Sequence, residues 1–384
     1  MPESGRWFGP EPLHSRAMAT TADALLAWFR AARRELPWRA AFPRDAYAVL
    51  VSEVMAQQTQ IGRVAAAYSR FMDRFPTLES LAAAGEDDVV HAFSGLGYYR
   101  RARLLHAAAR AVAGRGAWPR TAAELRALPG FGAYTSAAVA AFSFAGREAP
   151  VDGNVARVAA RAHGLSLAMG SAGLLAAARE FAQRWFAEAG TPEVWEALME
   201  LGATVCTPAA PRCHACPLSA GCTGFREGTP IRYPLPRRQR APEAHRWAAL
   251  WVERGDGRVL LRRVERGAVL AGMWLPPFRA LAPGTDAAAA AAAIAADAGL
   301  HVRLAPAPPV RHSITHRRIE VLPFTCRRTS PRVAETADGW SWQDWRAPAV
   351  PTSSLLAKLG AACAVPKRGA REARGPAAAR PKGA

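Results

Sequence analysis

Four cysteines, Cys206, Cys213, Cys216 and Cys222, constrain this chain more than any other feature. Their spacing is C-x6-C-x2-C-x5-C. Four thiolates so close in sequence can wrap one 4Fe–4S cube or one tetrahedral zinc ion. Zinc sites more often show two C-x2-C knuckles separated by a longer loop. A single knuckle flanked by unequal arms favours the cube. The chain has two further cysteines, Cys326 and Cys363, both far from the cluster. A secreted disulfide scaffold would instead spread its cysteines through a small domain. The pattern therefore points to a metal or cluster site in a reducing compartment.

A length of 384 residues exceeds what one hydrophobic core usually spans, so two domains are expected. Fifty Lys and Arg oppose 31 Asp and Glu, for a formal net charge of +19. A GC-rich genome could account in part for the preference for Arg over Lys, but not for this imbalance. The charge calls for a polyanionic partner, nucleic acid first and an anionic membrane surface second. No apolar run has the roughly 18 uninterrupted residues of a membrane span. Met1 to Arg16 has prolines and charges and lacks the apolar centre of a secretory signal. A cytoplasmic, nucleoid-associated monomer with no membrane contact is the resulting expectation.

Residues 1–20 read as a flexible extension. From 21 to 227 the apolar spacing is helical, as at Leu50, Val54, Ile61, Val64, Tyr68 and Phe71. Residues 228–245 contain four prolines and five Arg or His, the composition of a stiff basic linker. Beyond it the period shortens. Trp247–Val252 and Val259–Val264 flank Gly255-Asp256-Gly257, a hairpin signal. Ala287–Ala298 reads as a helix and Glu320–Cys326 as a strand, so 246–362 is expected to be an α+β domain. Residues 363–384 are low-complexity and basic, the composition of a disordered tail.

Several motifs carry chemistry. In Tyr47-Ala-Val-Leu-Val-Ser-Glu53-Val-Met-Ala-Gln57-Gln58-Thr59-Gln60, an acid sits inside an apolar helix. Desolvation there raises a carboxyl pKa toward neutrality, which suits a general acid, although a buried hydrogen-bonded Glu would look the same. Gln57 shares a helix face with Glu53. Gly95-Leu-Gly-Tyr98-Tyr99-Arg100-Arg101-Ala-Arg103 joins aromatic rings to cations. That suits either a stacking wedge with phosphate anchors or two core tyrosines before a solvated helix face. In Leu128-Pro-Gly130-Phe-Gly132-Ala-Tyr134, two glycines permit a tight turn, and their amides with the following helix start make an anion cradle. Asp152 in Val151-Asp-Gly-Asn154-Val is placed to cap a helix, and a carboxylate there could also stabilise developing positive charge.

Taken in order, these segments resemble the endonuclease III superfamily of helix-hairpin-helix DNA glycosylases, with a 4Fe–4S cluster on the cysteine loop. The stretch around Glu53 is similar to the S-E-V-M-L-Q-Q-T-Q motif of MutY-type adenine glycosylases, with Ala56 in place of leucine. The resemblance covers roughly 20–360 and is strongest over 36–230. It implies a mainly α, two-lobed glycosylase domain followed by a Nudix-like α+β domain. It implies a monofunctional enzyme that removes adenine mispaired with 8-oxoguanine or guanine in duplex DNA. Glu53 would protonate adenine, Asp152 would stabilise the sugar cation, and Tyr134 and Asn154 would orient sugar and carboxylate. Gln57, Gln58, Thr59, Tyr98, Arg103, Gly130 and Gly132 would contact DNA. Processivity or repair factors would be further partners.

Endonuclease III-type lyases attack the sugar with a lysine just after the hairpin; here Tyr134 stands at that place. Residues 1–357 contain no lysine at all, so a lysine Schiff base in the helical domain is impossible. Hydrolysis is what remains. In the second domain, Ala271-Gly-Met-Trp-Leu-Pro-Pro resembles a segment of the MutY C-terminal domain. Thr315 and His316 lie where that family often has a Phe-Ser-His loop and are the expected 8-oxoguanine contacts. A working Nudix site needs several glutamates on a helix, yet Gly284–Gly299 holds only Asp286 and Asp297 as acids. Nucleotide hydrolysis is not expected.

Overall fold

The computed structural model describes residues 22–237, 240–265, 269–300, 302–328 and 339–363. The extension read over 1–20 and the tail beyond Cys363 lie outside them. The chain divides into two units, Met1–Gln239 and Arg240–Ala384, and the division falls inside the segment read as linker.

The described part of the first unit is helical: α1 (Ala22–Ala32), α2 (Ala46–Ala56), α3 (Ile61–Arg74), α4 (Leu78–Ala83), α5 (Glu86–Ala92), α6 (Arg100–Ala113), α7 (Ala122–Arg126), α8 (Ala133–Phe144), α9 (Gly153–His163), α10 (Ala172–Ala189), α11 (Glu193–Thr204) and α12 (Thr223–Arg226). Two groups pack separately. Helices α2 to α8 form one lobe around α2 and α6. Helix α1 crosses back to join α9, α10, α11 and α12 in the other.

Helix α2 is apolar on every side. Ala46, Tyr47, Val49, Leu50, Val51, Ser52, Val54 and Met55 are all buried, the mark of a helix enclosed by its neighbours. Asp45 caps it by accepting from the Ala48 amide at 2.8 Å. Glu53, the one acid of this helix, is half-buried where the helix meets the cleft.

In the second unit β1 (Glu243–Arg254) is central. It pairs antiparallel with β2 (Val259–Arg263), whose other neighbours are β3 (Trp274–Leu275) and β8 (Trp340–Gln343), and with β4 (Phe278–Leu281). It runs parallel to β7 (Arg317–Arg328), which also pairs with β5 (Ala305–Pro306) and β6 (Val310–Ile314). The period of two in β1 feeds two cores. Trp247, Ala249 and Trp251 pack with α14 (Ser354–Cys363). Ala248, Leu250 and Val252 pack with α13 (Ala287–Asp297). This is the expected α+β layering. Strand β1 begins at Glu243, three residues inside the sequence read as linker. Its parallel register with β7, Glu243 opposite Arg317, extends the sheet beyond what the apolar pattern shows.

Candidate active site

A cleft of about 790 Å³ in the first unit is lined by Glu53 of α2, Tyr134 of α8, Asp152 and Asn154 at the start of α9, and Glu196, Met199 and Glu200 of α11. Gln57, Gln58 and Thr59 line it too. Segments far apart in sequence thus converge, and all four expected catalytic residues lie in one cavity.

Burial among the α2 neighbours pushes the Glu53 carboxyl up to about 7, helped by the negative charges of Asp152 and Glu196. A hydrogen bond with Tyr134 and the charge of Arg44 pull the other way. Burial, with Glu53 beside it, holds the Tyr134 phenol well above its ordinary range, so it stays protonated. Its hydroxyl also lies 3.7 Å from Met199 Sδ.

Asp152 caps α9 as its sequence position suggests. Its Oδ1 accepts from the backbone amides of Asn154 at 2.9 Å and Val155 at 2.8 Å. Its Oδ2 accepts from Asn154 Nδ2 at 2.7 Å. Burial raises its pKa, and these three donors oppose the rise. Capping therefore fixes the carboxylate at the cleft wall. Asn154 Oδ1 in turn accepts from Arg157 Nη2 at 2.8 Å, and Arg157 Nε donates to the Cys206 carbonyl at 2.8 Å. Gly202 of α11 packs so close that an added Cβ would meet Asn154 Cβ at 2.5 Å.

An acid–base lattice that the sequence motifs do not reveal forms another part of the wall. Glu200 accepts from Arg34 at 2.7 Å and from Arg39 at 2.7 Å. Glu196 accepts from Arg39 at 2.8 Å and Arg44 at 2.8 Å. Burial works to raise the Glu200 pKa, but the Arg34 and Arg39 bonds hold it down to about 2. The available signal was Glu196 and Glu200, four apart inside an apolar helix, with three arginines over 34–44 to neutralise them.

The expected DNA contacts fall in three places. Gln57 Nε2 donates to Thr135 Oγ1 at 3.2 Å, tying α2 to the hairpin helix α8. Gln58 and Tyr98 both adopt left-handed backbone, at φ 55° and 52°, and Tyr98 is one of the exposed large side chains. Non-glycine residues held there store strain that commonly marks functional loops. Arg101 supplies the restraint. It is buried and donates to the carbonyls of Val54, Met55, Gln57, Leu96 and Gly97 and to Thr59 Oγ1. It is therefore a clamp between the two loops and no phosphate anchor, because these six oxygens draw it inward. Arg103 pairs with Glu86 at 3.1 Å and is only partly exposed. In the hairpin only Gly130 has positive φ, 78°, with its would-be Cβ 3.0 Å from Leu104. Gly132 is extended and caps α8 without any side-chain bond, which leaves the first amides of α8 free of a side-chain cap.

Cys206, Cys213, Cys216 and Cys222 line a second, smaller cavity with Arg161 and Phe225. Burial drives the Cys216 thiol up to about 12, with the other three cysteines adding to the rise. Four neighbouring, half-buried thiols whose thiolate forms would repel one another, with backbone amides aimed at Cys216 and Cys222, form a donor set suited to a group that takes all four as thiolates. Among the described residues no three acid, His or Cys side chains close on a single metal ion.

In the second unit Thr315 and His316 form the turn between β6 and β7. Thr315 is exposed with φ 55°, and His316 Nε2 lies 2.9 Å from Glu243 Oε1. The two acids of the Gly284–Gly299 stretch have structural duties: Asp286 caps α13 and Asp297 pairs with Arg279 at 2.9 Å.

Residues 51–171 match the family model described as HhH-GPD superfamily base excision DNA repair protein. An adenine DNA glycosylase of Rattus norvegicus is 42% identical over 207 residues, 52% of this chain and 40% of that protein. One from Homo sapiens is 42% identical over 208 residues, covering 52% and 38%. The match thus spans about two fifths of the mammalian relatives' length. One from Mycolicibacterium smegmatis is 42% identical over 223 residues, covering 56% of this chain and 74% of that protein. The chain belongs to the adenine DNA glycosylase family of the helix-hairpin-helix superfamily.

Proposed function

We propose that the chain is a monofunctional DNA glycosylase that hydrolyses the N-glycosidic bond of adenine mispaired with 8-oxoguanine or guanine. One observation carries this reading. Glu53, half protonated near neutrality, and Asp152, fixed by three donors, line a single cleft in a domain without lysine.

Adenine extruded from the duplex enters the cleft, its stacking replaced by Tyr98. Glu53 gives its proton to N7 as the bond from C1′ to N9 breaks and the electron pair moves to the purine. Asp152 stabilises the sugar cation left behind. Water adds to C1′ and gives its proton to the Glu53 carboxylate, which restores the acid. Tyr134, kept as phenol, and Asn154 hold sugar and carboxylate in place. Thr315 and His316 on the β6–β7 turn read the oxidised guanine. Affinity comes largely from phosphate contacts by Arg-rich surfaces, the Gln58 and Tyr98 loops and the α8 amides.

Cys206, Cys213, Cys216 and Cys222 hold a 4Fe–4S cluster. Bound there, it supplies four strong bonds that fix the loop from Cys206 to Cys222 and leaves base removal to the carboxylates. The test is single-turnover cleavage of a duplex bearing adenine opposite 8-oxoguanine, with and without hot alkali. Strand breaks only after alkali are expected; breaks without alkali would exclude a purely hydrolytic enzyme.

A further inference from the structure

The mechanism leaves one buried cation unused. Arg161, on the last turn of α9, is 2% exposed. Its guanidinium reaches the Cys206 end of the cysteine loop. Nη1 donates to Cys206 Sγ at 3.3 Å and to the Thr207 carbonyl at 2.7 Å, and Nη2 donates to the Pro208 carbonyl at 2.8 Å. Nε donates to the Tyr233 carbonyl at 3.1 Å, where the chain leaves the loop. Its own carbonyl accepts from Cys222 Sγ at 3.4 Å. The first and last cysteines are thus both bonded to one residue. Gly224 fits because a Cβ there would press on that same carbonyl at 3.3 Å.

A buried guanidinium is costly unless its donors are used, and here each of its three nitrogens has an acceptor. Two of the acceptors are carbonyls of the loop and a third is the Tyr233 carbonyl beyond α12, none of them paired by a helix or strand, so the start of the loop depends on Arg161 for its shape. The fourth is a sulfur of the proposed donor set. An N–H donor and a positive charge at a thiolate draw electron density from it, which stabilises the more reduced, more negative state of whatever it ligates.

We propose that Arg161 is the latch of the cysteine loop: its guanidinium holds Cys206 and the two residues after it in place for loading and raises the reduction potential of the bound cluster through its bond to Cys206 Sγ. This rests on the cluster reading above and adds a positioning residue to it. Arg157, one turn earlier, bonds the Cys206 carbonyl and serves Asp152 through Asn154, so the two arginines divide the labour between cluster and active site.

The full-length holoprotein tests this with Arg161→Gln and Arg161→Lys. Measurements are iron and sulfide per chain, the bleaching rate of the cluster absorbance in air, the potential on a DNA-free electrode, and far-ultraviolet circular dichroism as a fold control. Arg161→Gln should retain several-fold less iron and bleach faster. Its remaining cluster should shift negative by about 59 mV or more, a tenfold change for one electron. Arg161→Lys keeps the charge but not the fork. It should retain iron poorly, at most about a third of wild type, with an unchanged circular dichroism spectrum and a smaller shift in potential. If Arg161→Gln does not fold, the lysine variant alone decides. Variants that match wild type in iron, bleaching and potential overturn the latch. A folded wild-type chain that takes up no iron even on anaerobic reconstitution overturns the cluster reading and the latch with it.

Discussion

Glu53→Gln should make the protein more stable while it abolishes catalysis, and the stability gain should depend on pH. Glutamine keeps the size of the side chain but takes no charge. In the native fold the Glu53 pKa rises from 4.5 to about 7. A raised native pKa means that the neutral acid is the form the fold tolerates. The stability linked to that neutral form is fully present below pH 4.5 and is lost as pH rises through about 7. At about 1.4 kcal/mol for each tenfold change in proton affinity, the rise from 4.5 to about 7 amounts to about 3 kcal/mol at full ionisation. Roughly 2 kcal/mol of that accrues between about pH 5 and pH 8. Denaturant unfolding of both proteins at the two pH values measures it, since titrating groups that do not interact with Glu53 cancel in the difference. Glu53→Gln should exceed wild type by about 3 kcal/mol at about pH 8, less any loss at Tyr134, and by under about 1 kcal/mol at about pH 5. Adenine release should fall at least about 100-fold, the usual contribution of a general acid. A stability gap that does not change with pH, or unchanged release, would refute the desolvated-acid account.

Other consequences follow from the same contacts. The wild-type single-turnover rate should decline as pH rises through about 7, where Glu53 loses its proton, and also on acidification as Asp152 protonates. Glu196→Gln removes one negative charge facing Glu53 and one partner of Arg39 and Arg44, so the alkaline limb should move to lower pH and stability fall by about 3 kcal/mol or more; a pH–rate profile and a melt check both. Gly202→Ala forces a methyl against Asn154 and should slow release by displacing the Asp152 cap, at a cost of about 1–3 kcal/mol. Duplex affinity should fall steeply between about 50 and 200 mM salt, roughly 1000-fold if six phosphates are contacted, as equilibrium titration would show.

What could be read from sequence depended on how local the signal was. Glu53, Asp152 and the cysteines sit in short motifs whose chemistry is written in adjacent residues, and the fold brings the first two to one cleft and the four thiols to one pocket. The sheet alternation of β1 was legible because successive side chains enter opposite cores. The Arg34, Arg39, Arg44, Glu196 and Glu200 lattice was not, because its partners are more than 150 residues apart and an arginine in sequence carries no mark of what it will meet. Arg101 misleads for the same reason. Beside Arg100 and Arg103 it reads as one of a basic set, yet the orphan carbonyls at the end of α2 and before α6 pull it inward. The left-handed backbone at Gln58, Tyr98 and Thr315 was equally invisible, since none is glycine.

The most direct test of the account is a single-turnover comparison of free base released from matched duplexes. These would carry adenine opposite 8-oxoguanine, adenine opposite guanine, adenine opposite thymine, and thymine or uracil opposite guanine. The account predicts adenine release from the first two, fastest opposite 8-oxoguanine, and none from the others. Release of thymine or uracil with adenine left intact would contradict it.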